Sequence, residues 1–132
     1  MTDVDIIIPY YNDVEHIDDT LKSIYIQSVI DNIHVIVIDD NSDKKCNHLL
    51  SKYKSLGVDI RLLTLTKNRG SGVARQVGID HSNSPYIMFV DSDDKLYDSN
   101  SVEKLINALD SDSDSLKTYS PPSTLKAGMF TT

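Results

Sequence analysis

Four short apolar runs alternate along the chain with segments whose apolar residues recur every three or four positions. The runs at residues 4–8, 35–38, 60–65 and 86–90 predict strands, the first of which ends at Pro9. The segments between and after them predict helices, with apolar positions at Val14, Ile17, Leu21, Ile24 and Tyr25, at Leu49, Leu50, Tyr53 and Leu56, across residues 73–79, and at Val102, Leu105, Ile106 and Leu109. This alternation predicts an α/β fold, a Rossmann-like, mostly parallel sheet flanked by helices.

Local signals predict where several of these elements begin and end. Asn12 or Asp13 is predicted to cap the first helix, and Gly57 to stop the second. Residues 110–115 alternate Asp with Ser, which predicts a solvated loop. A brief strand is predicted at residues 116–119.

Three carboxylates directly follow the fourth predicted strand, at Asp91, Asp93 and Asp94. In open α/β sheets the carboxyl ends of the strands form the ligand site. Residues two apart in an extended segment point the same way, so Asp91 and Asp93 can converge on one ligand in an Asp-x-Asp (DXD) motif. Like charges this close need a cation or hydrogen-bond donors to stay ionised. The pattern predicts a site for Mn²⁺ or Mg²⁺, which prefer oxygen ligands, and through the ion a phosphorylated ligand.

A second acidic pair, Asp39 and Asp40, ends the second predicted strand. If these two strands are neighbours, both groups of acids face one crevice. Arg75 follows a loop at residues 67–72 that contains two glycines. Its guanidinium can either bind a diphosphate or orient an aspartate. No role is assigned to the four scattered histidines, His16, His34, His48 and His81.

Competing motifs fail at particular positions. A calcium-binding EF-hand loop starting at Asp91 requires a glycine where Leu96 stands. A phosphate-binding P-loop requires Gly-Lys-Ser/Thr, and residues 70–73 (Gly-Ser-Gly-Val) lack the lysine. A dinucleotide fingerprint requires a glycine where Arg75 stands. A phosphatase-like hydrolase with Asp91 as nucleophile stays open as the enzyme alternative.

Composition narrows the class of protein further. The 132 residues carry a net charge of -7, which argues against nucleic acid as the main partner. Cys46 is the only cysteine, so an internal disulfide and a cysteine-built zinc site are excluded. No signal peptide or transmembrane segment is predicted. We therefore expect a single domain, residues 1–132, in the cytoplasm, with peripheral association with a membrane also open.

Four motifs in order resemble the family-two glycosyltransferases, at residues 6–12, 37–43, 68–79 and 86–94. The resemblance covers roughly residues 4–110. It implies a nucleotide-diphospho-sugar transferase fold of the glycosyltransferase A type and an inverting transfer of a sugar, most simply from a UDP-sugar, to an unknown acceptor.

The resemblance also implies roles for single residues. Pro9 and Tyr11 would line the pocket for base and ribose, and Asp40 would bind the base. Asp91 would approach the ribose, and Arg75 would stabilise the site near the diphosphate. Asp93 would bind the metal that bridges the diphosphate, within a metal group that includes Asp91 and Asp94.

The chain departs from the family pattern in three places. The usual Gly of the second motif is Asn41, and the usual Asn after Ala-Arg is Gln76. Family members carry a catalytic carboxylate base well downstream, and no residue after Asp94 matches it, so no catalytic residue is assigned. We therefore expect a truncated, donor-binding half without the acceptor half. The exposed sheet edge of such a half-domain favours a homodimer. The alternative function is a non-catalytic fragment that binds a nucleotide sugar without transferring it.

Overall fold

A computed structural model describes residues 1–111, 118–119 and 127–131, the last two ranges by their backbone alone. Its elements in chain order are β1 (Val4–Tyr10), α1 (Ile17–Tyr25), a short 3₁₀ turn (Ile30–Asn32), β2 (Ile33–Asp39), α2 (Asn47–Ser55), β3 (Asp59–Thr64), α3 (Ser71–Asp80), β4 (Tyr86–Val90), α4 (Ser101–Asp110), β5 (Thr118–Tyr119) and β6 (Ala127–Thr131). None of the helices in these ranges is both long and apolar enough to cross a membrane.

The strands form one sheet in the order β3-β2-β1-β4-β6-β5. The first four are parallel to one another, whereas β6 pairs antiparallel with β4 and β5 antiparallel with β6. The predicted mostly parallel sheet flanked by helices is therefore confirmed. The sequence pattern did not predict β6, which covers the edge of β4.

Helices cover both faces of the sheet, as the near-continuous apolar strands require. Along β1, Ile6 and Ile8 belong to the larger core cluster, with residues of α1, α2 and α4. Ile7 points to the opposite face, where it packs with Ala74 of α3 in a smaller cluster. Gly78 of α3 lies so close to Ile7 that a Cβ on the glycine would be 2.5 Å from Ile7 Cγ2.

Strand β1 continues through Pro9 to Tyr10, so the prediction that Pro9 ends the strand was wrong. Pro9 pairs in register with Ile38 of β2. On the other side, pairing between β1 and β4 ends at Ile7 and Phe89. The missing N–H of Pro9 lies beyond that ladder and breaks no hydrogen bond with β4. The ladder between β1 and β4 does not extend above Ile7, and Pro9 and Tyr10 line a cleft at this edge of the sheet.

Other predicted boundaries also move. Helix α1 begins at Ile17 with His16 as its cap, so the predicted cap at Asn12 or Asp13 was wrong, and Val14 is exposed in the preceding turn. Leu56 caps the end of α2 and is exposed. Of the loop predicted at residues 110–115, positions 112–115 lie outside the described residues. Within the strand predicted at residues 116–119, Thr118 and Tyr119 are strand.

Candidate functional site

A cleft of about 490 Å³ opens at the carboxyl ends of β1, β2 and β4. This is the edge at which a parallel α/β sheet places its ligand site. Its lining comes from the loops after these three strands and from the first turns of α3. The residues are Pro9, Tyr10, Tyr11, Asn12, Asp13, His16, Asp40, Ser71, Ala74, Arg75, Asp91, Ser92 and Asp93.

Hydrogen bonds tie the loops after β1 and β2 together beneath the cleft. The Asn12 N–H donates to Ser42 Oγ at 2.9 Å, and the Lys44 N–H donates to Asn12 Oδ1 at 2.9 Å. The Tyr10 hydroxyl donates a hydrogen bond to the Lys44 carbonyl at 2.6 Å. Burial raises the pKa of Tyr10 to about 12, so the hydroxyl keeps the proton it donates. Asn12 and Asn41 both have positive φ, at 54° and 61°, a backbone conformation that Asn tolerates better than most residues.

Asp40 fastens a third loop to this edge. Its Oδ1 accepts the Arg69 N–H at 2.7 Å, and its Oδ2 accepts the Gly70 N–H at 2.8 Å. Gly70 has φ of 94°, which a residue with a side chain rarely adopts, and it caps the start of α3. Asp40 is 4% exposed. The carboxylate thereby sets the position of α3, whose first turns line the cleft through Ser71, Ala74 and Arg75.

The acidic turn after β4 brings three carboxylates together. Asp91, Asp93 and Asp94 each offer an oxygen within 4.8 Å of the others. The Asp94 N–H donates to the Asp91 carbonyl at 3.0 Å and closes the turn. Octahedral Mg²⁺ with ligands at about 2.1 Å places opposite oxygens about 4.2 Å apart. The carboxylate oxygens lie within 4.8 Å of one another, close to that spacing, and are the hard donors that Mg²⁺ and Mn²⁺ prefer, so the group fits either ion in its ligand chemistry.

Arg75 crosses from α3 to the acidic turn. Its Nη2 donates to Asp91 Oδ1 at 2.7 Å, and both side chains are about one third exposed. Of the two possibilities that its position allowed, Arg75 fixes an aspartate here. The pair orients the Asp91 carboxylate and compensates one of the three negative charges of the turn.

The predicted site residues converge on one cleft. Pro9, Tyr11, Asp40, Arg75, Asp91 and Asp93 all line it, and Asp94 belongs to the adjoining acidic turn. β2 and β4 are not neighbours, because β1 lies between them, yet Asp40 faces the same opening as Asp91 and Asp93. Asp39 does not line the cleft, because its side chain is buried and its Oδ1 accepts the Ser42 N–H at 2.8 Å. The roles of these residues toward a ligand remain predictions.

Sequence reasoning missed Asp13 and His16, which also line the cleft. The available signal was their position directly after β1, at the same edge of the sheet as the acids. Lys67 and Arg69 belong to the loop at residues 67–72, and neither residue lines the cleft. Arg69 contributes its backbone N–H to Asp40 instead.

The fold is that of nucleotide-diphospho-sugar transferases of the glycosyltransferase A type. The family model for glycosyl transferase family 2 matches residues 5–124. The chain therefore belongs to glycosyltransferase family 2.

Curated relatives and solved structures agree with this assignment. The chain is 33% identical over 96 residues to TuaG of Bacillus subtilis, a glycosyltransferase named for teichuronic acid biosynthesis. This match covers 70% of the present chain and 36% of TuaG. It is 34% identical over 111 residues to the poly(ribitol-phosphate) β-N-acetylglucosaminyltransferase TarP of Staphylococcus aureus. This match covers 81% of the present chain and 33% of TarP. The chain thus spans about a third of the length of these relatives.

Among solved structures, S. aureus TarS 1–349 in complex with UDP-GlcNAc superposes with a TM-score of 0.77 at 25% identity, over 83% of this chain and 31% of that one. The mannosyltransferase PcManGT of Pyrobaculum calidifontis, solved with GDP-Man and Mn²⁺, has a TM-score of 0.72 at 23% identity, over 86% and 35%. The second likeness shows the shared fold.

Proposed function

We propose that this chain is the donor-binding part of a metal-dependent glycosyltransferase, which binds a UDP-sugar and transfers the sugar with inversion to an acceptor. The observation that carries the proposal is the convergence of Asp40, Asp91 and Asp93 on one cleft from two separate strands. The UDP-GlcNAc complex of TarS supports the nucleotide. The printed name of TarP supports a polymer such as poly(ribitol-phosphate) as the acceptor, and that of TuaG supports a role in the biosynthesis of an acidic polymer.

The residues of the cleft divide the work of holding such a donor. Tyr11 is 51% exposed at the opening, so its ring is available to stack on the base. Asp40 uses one lone pair of each oxygen on the loop amides, and a carboxylate oxygen has a second, so the base can still donate to it. Asp91 is left with Oδ2 for a ribose hydroxyl, since Arg75 takes Oδ1.

The Asp91, Asp93 and Asp94 carboxylates would hold Mn²⁺ or Mg²⁺. When bound, the ion would supply positive charge against the negative charge that develops on the departing nucleoside diphosphate. Arg75 lies beside this position and would add to the same effect. We assign no catalytic base, and general-base help is typically worth 10²–10⁴-fold, so we expect slow transfer from this chain alone.

Calorimetry with UDP tests the proposal. We expect UDP to bind with Mn²⁺ present and much more weakly with EDTA. Asp93→Asn should remove the metal-dependent gain, whereas Asp31→Asn, an exposed acid in the 3₁₀ turn, should not. Equal UDP affinity with and without metal would contradict the metal-dependent site.

A second assay separates a transferase from a non-catalytic binding domain. Release of UDP from UDP-GlcNAc, measured with and without a glycopolymer acceptor, should depend on Asp93 if the chain is an enzyme. Donor binding without release would indicate the binding fragment. Phosphate release from simple phosphomonoesters would instead favour the hydrolase with Asp91 as nucleophile, which the Arg75 contact to Oδ1 disfavours.

Location and assembly complete the proposal. The proposal places the domain in the cytoplasm, with peripheral association with a membrane. For homodimerisation, the outer edge of β3 has no neighbouring strand in the described sheet, but exposed Asp59 and Arg61 place charge there. Sedimentation velocity at several concentrations decides between monomer and dimer.

A further inference from the structure

Asp13 links two parts of the cleft through its two carboxylate oxygens. Its Oδ1 lies 2.6 Å from His16 Nδ1, and its Oδ2 accepts the Ser92 hydroxyl at 2.7 Å. Ser92 stands between Asp91 and Asp93 in the acidic turn. Asp13, His16 and Ser92 all line the cleft. One side chain before α1 thus holds the centre of a turn that lies 79 residues away in the sequence.

The carboxylate of Asp13 has no capping role that would explain its position. His16 is the cap of α1, and the helix has no side-chain capping hydrogen bond. The contacts of Asp13 to the start of the helix run through its backbone carbonyl, which accepts the Ile17 N–H at 3.2 Å. The side chain is therefore directed at Ser92 and His16.

Thr20 holds the same turn from deeper in α1. Its hydroxyl lies 2.7 Å from the Ser92 carbonyl and 2.5 Å from the Asp94 carbonyl, and Thr20 is 1% exposed. The hydroxyl has a single proton, so it donates to one carbonyl at a time. Thr20 anchors the backbone of the turn, whereas Asp13 anchors the side chain at its centre.

Fixing Ser92 determines where its neighbours point. Asp91 and Asp93 flank Ser92 in a turn that the Asp94 N–H closes on the Asp91 carbonyl at 3.0 Å, so all three side chains project from one short, closed piece of backbone. With Ser92 bonded to Asp13, rotation of the turn about its own axis is restrained, and with it the directions of Asp91 and Asp93. Partners that orient metal ligands in this way commonly change metal affinity 10- to 100-fold when removed.

We propose that Asp13 is a positioning residue of the metal and nucleotide-sugar site, which acts through Ser92 on Asp91 and Asp93. The proposal rests on the proposed function, because it presumes that the acidic turn binds the ion. The second oxygen of Asp13 holds the His16 ring at the opening of the cleft through Nδ1. His16 Nε2 has no hydrogen-bond partner among the described residues. With the ring proton on Nδ1 facing Asp13, Nε2 of the neutral ring is an acceptor and is left for a hydroxyl group of the ligand.

Mn²⁺ binding, followed by the electron paramagnetic resonance signal of the free ion, tests the proposal without relying on turnover. We expect Ser92→Ala and Asp13→Ala each to weaken Mn²⁺ affinity by about tenfold. Because both remove the same contact, the double variant should be no weaker than Asp13→Ala alone. Ser92→Thr keeps the hydroxyl and should restore affinity to within about threefold of the wild type.

Glu15→Gln is the matched control for charge. It removes one exposed acid from the same segment without touching Ser92, and we expect Mn²⁺ affinity to change less than twofold. A loss equal to that of Asp13→Ala would mean that Asp13 acts only through its charge, and would overturn the proposal. Additive losses of Mn²⁺ affinity in the double variant would also overturn the proposal, and so would an unchanged Mn²⁺ affinity in Ser92→Ala. If Asp13→Ala does not fold, the comparison of Ser92→Ala with Ser92→Thr decides alone.

Failure of the proposed function gives a different result. If the wild type binds neither Mn²⁺ nor UDP, the proposed function is wrong and the role of Asp13 falls with it. If the wild type binds both and the Ser92 variants bind equally well, the role of Asp13 is wrong and the proposed function stands.

Discussion

At the scale of single residues, Asp40 combines two tasks in one carboxylate. Both oxygens are hydrogen-bonded to the loop that starts α3, and the same side chain lines the cleft. A residue in this position couples the order of the loop to the shape of the site. Loss of its acceptor atoms should therefore be detectable in the loop even with no ligand present.

We expect Asp40→Asn to loosen the loop at Arg69 and Gly70. The amide group that replaces one oxygen is a donor and faces an N–H, so one hydrogen bond becomes a repulsive contact. Arg69 is exposed, and limited trypsin digestion should cleave after it several times faster than in the wild type. Asp43→Asn, an exposed acid in the loop after β2, is the control and should digest at the wild-type rate.

Single residues also indicate what the sequence could reveal. Asp91 and Asp93 were recognisable because they directly follow a buried strand, and a strand end is a local signal. The role of Asn41 has an equally local reason, since its φ of 61° is a conformation that Gly or Asn accommodates. The contact of Asp13 with Ser92 has no local signal, because it depends on how β1 and β4 lie together in space.

At the scale of elements, the packing of α3 on β1 depends on the absence of a side chain at Gly78. A Cβ there would lie 2.5 Å from Ile7 Cγ2 and 3.0 Å from Cδ1. We expect Gly78→Ala to reduce the free energy of unfolding by about 1–3 kcal/mol, because the buried strand cannot move away without strain.

Gly72→Ala is the matched comparison in the same helix. A Cβ at Gly72 has no atom within 4 Å, so alanine should leave stability unchanged or raise it by up to about 1 kcal/mol. Urea unfolding of both variants measures the difference. Equal stability of the two variants would contradict the close packing of α3 on β1.

A second contact between elements joins the starts of β1, β2 and β3 at the opposite edge from the cleft. His34 Nδ1 lies 2.5 Å from Asp59 Oδ2, and Nε2 lies 3.2 Å from Asp3 Oδ2. Burial lowers the pKa of His34, but hydrogen bonds and attraction to the two carboxylates more than offset it, so the pKa is raised above 6.5. With a carboxylate at each ring nitrogen, the doubly protonated ring is favoured.

The raised pKa predicts how stability changes with pH. His34 contributes to the free energy of unfolding in full below pH 6.5, the pKa of histidine in the unfolded chain. This contribution is lost as the pH rises through the higher pKa of His34 in the folded protein. Urea unfolding from pH 6 to pH 8.5 should therefore show wild-type stability falling relative to His34→Gln. His48→Gln, an exposed histidine in α2, should follow the wild type. A constant difference between wild type and His34→Gln across this range would contradict the prediction.

Element boundaries were predicted less well than element types. The alternation of apolar runs was enough to predict four strands and four helices, because buried parallel strands need helices on both faces. Pro9 was taken as the end of β1, but the neighbouring ladder had already ended at Ile7. Strand β6 pairs antiparallel along β4, and its five residues carry no pattern that distinguishes them from a loop.

At the scale of the whole molecule, ligand binding should raise the temperature of unfolding. A ligand at 100 times its dissociation constant stabilises the folded state by about 2.7 kcal/mol. We expect UDP with Mn²⁺ at such concentrations to raise the melting temperature by several degrees, and EDTA to remove most of that gain. Differential scanning calorimetry measures both. Asp93→Asn should show no metal-dependent increase, and an increase equal to that of the wild type would contradict the assignment of the metal group.

The position of β1 between β2 and β4 sets a minimum length for any molecule that spans the site. Neighbouring strands lie about 4.8 Å apart, so the strand ends that carry Asp40 and Asp91 are separated by about 9.6 Å. In the proposed donor complex, the base at Asp40 and the ribose at Asp91 lie on either side of the end of β1, so the central strand separates the two halves of the nucleoside.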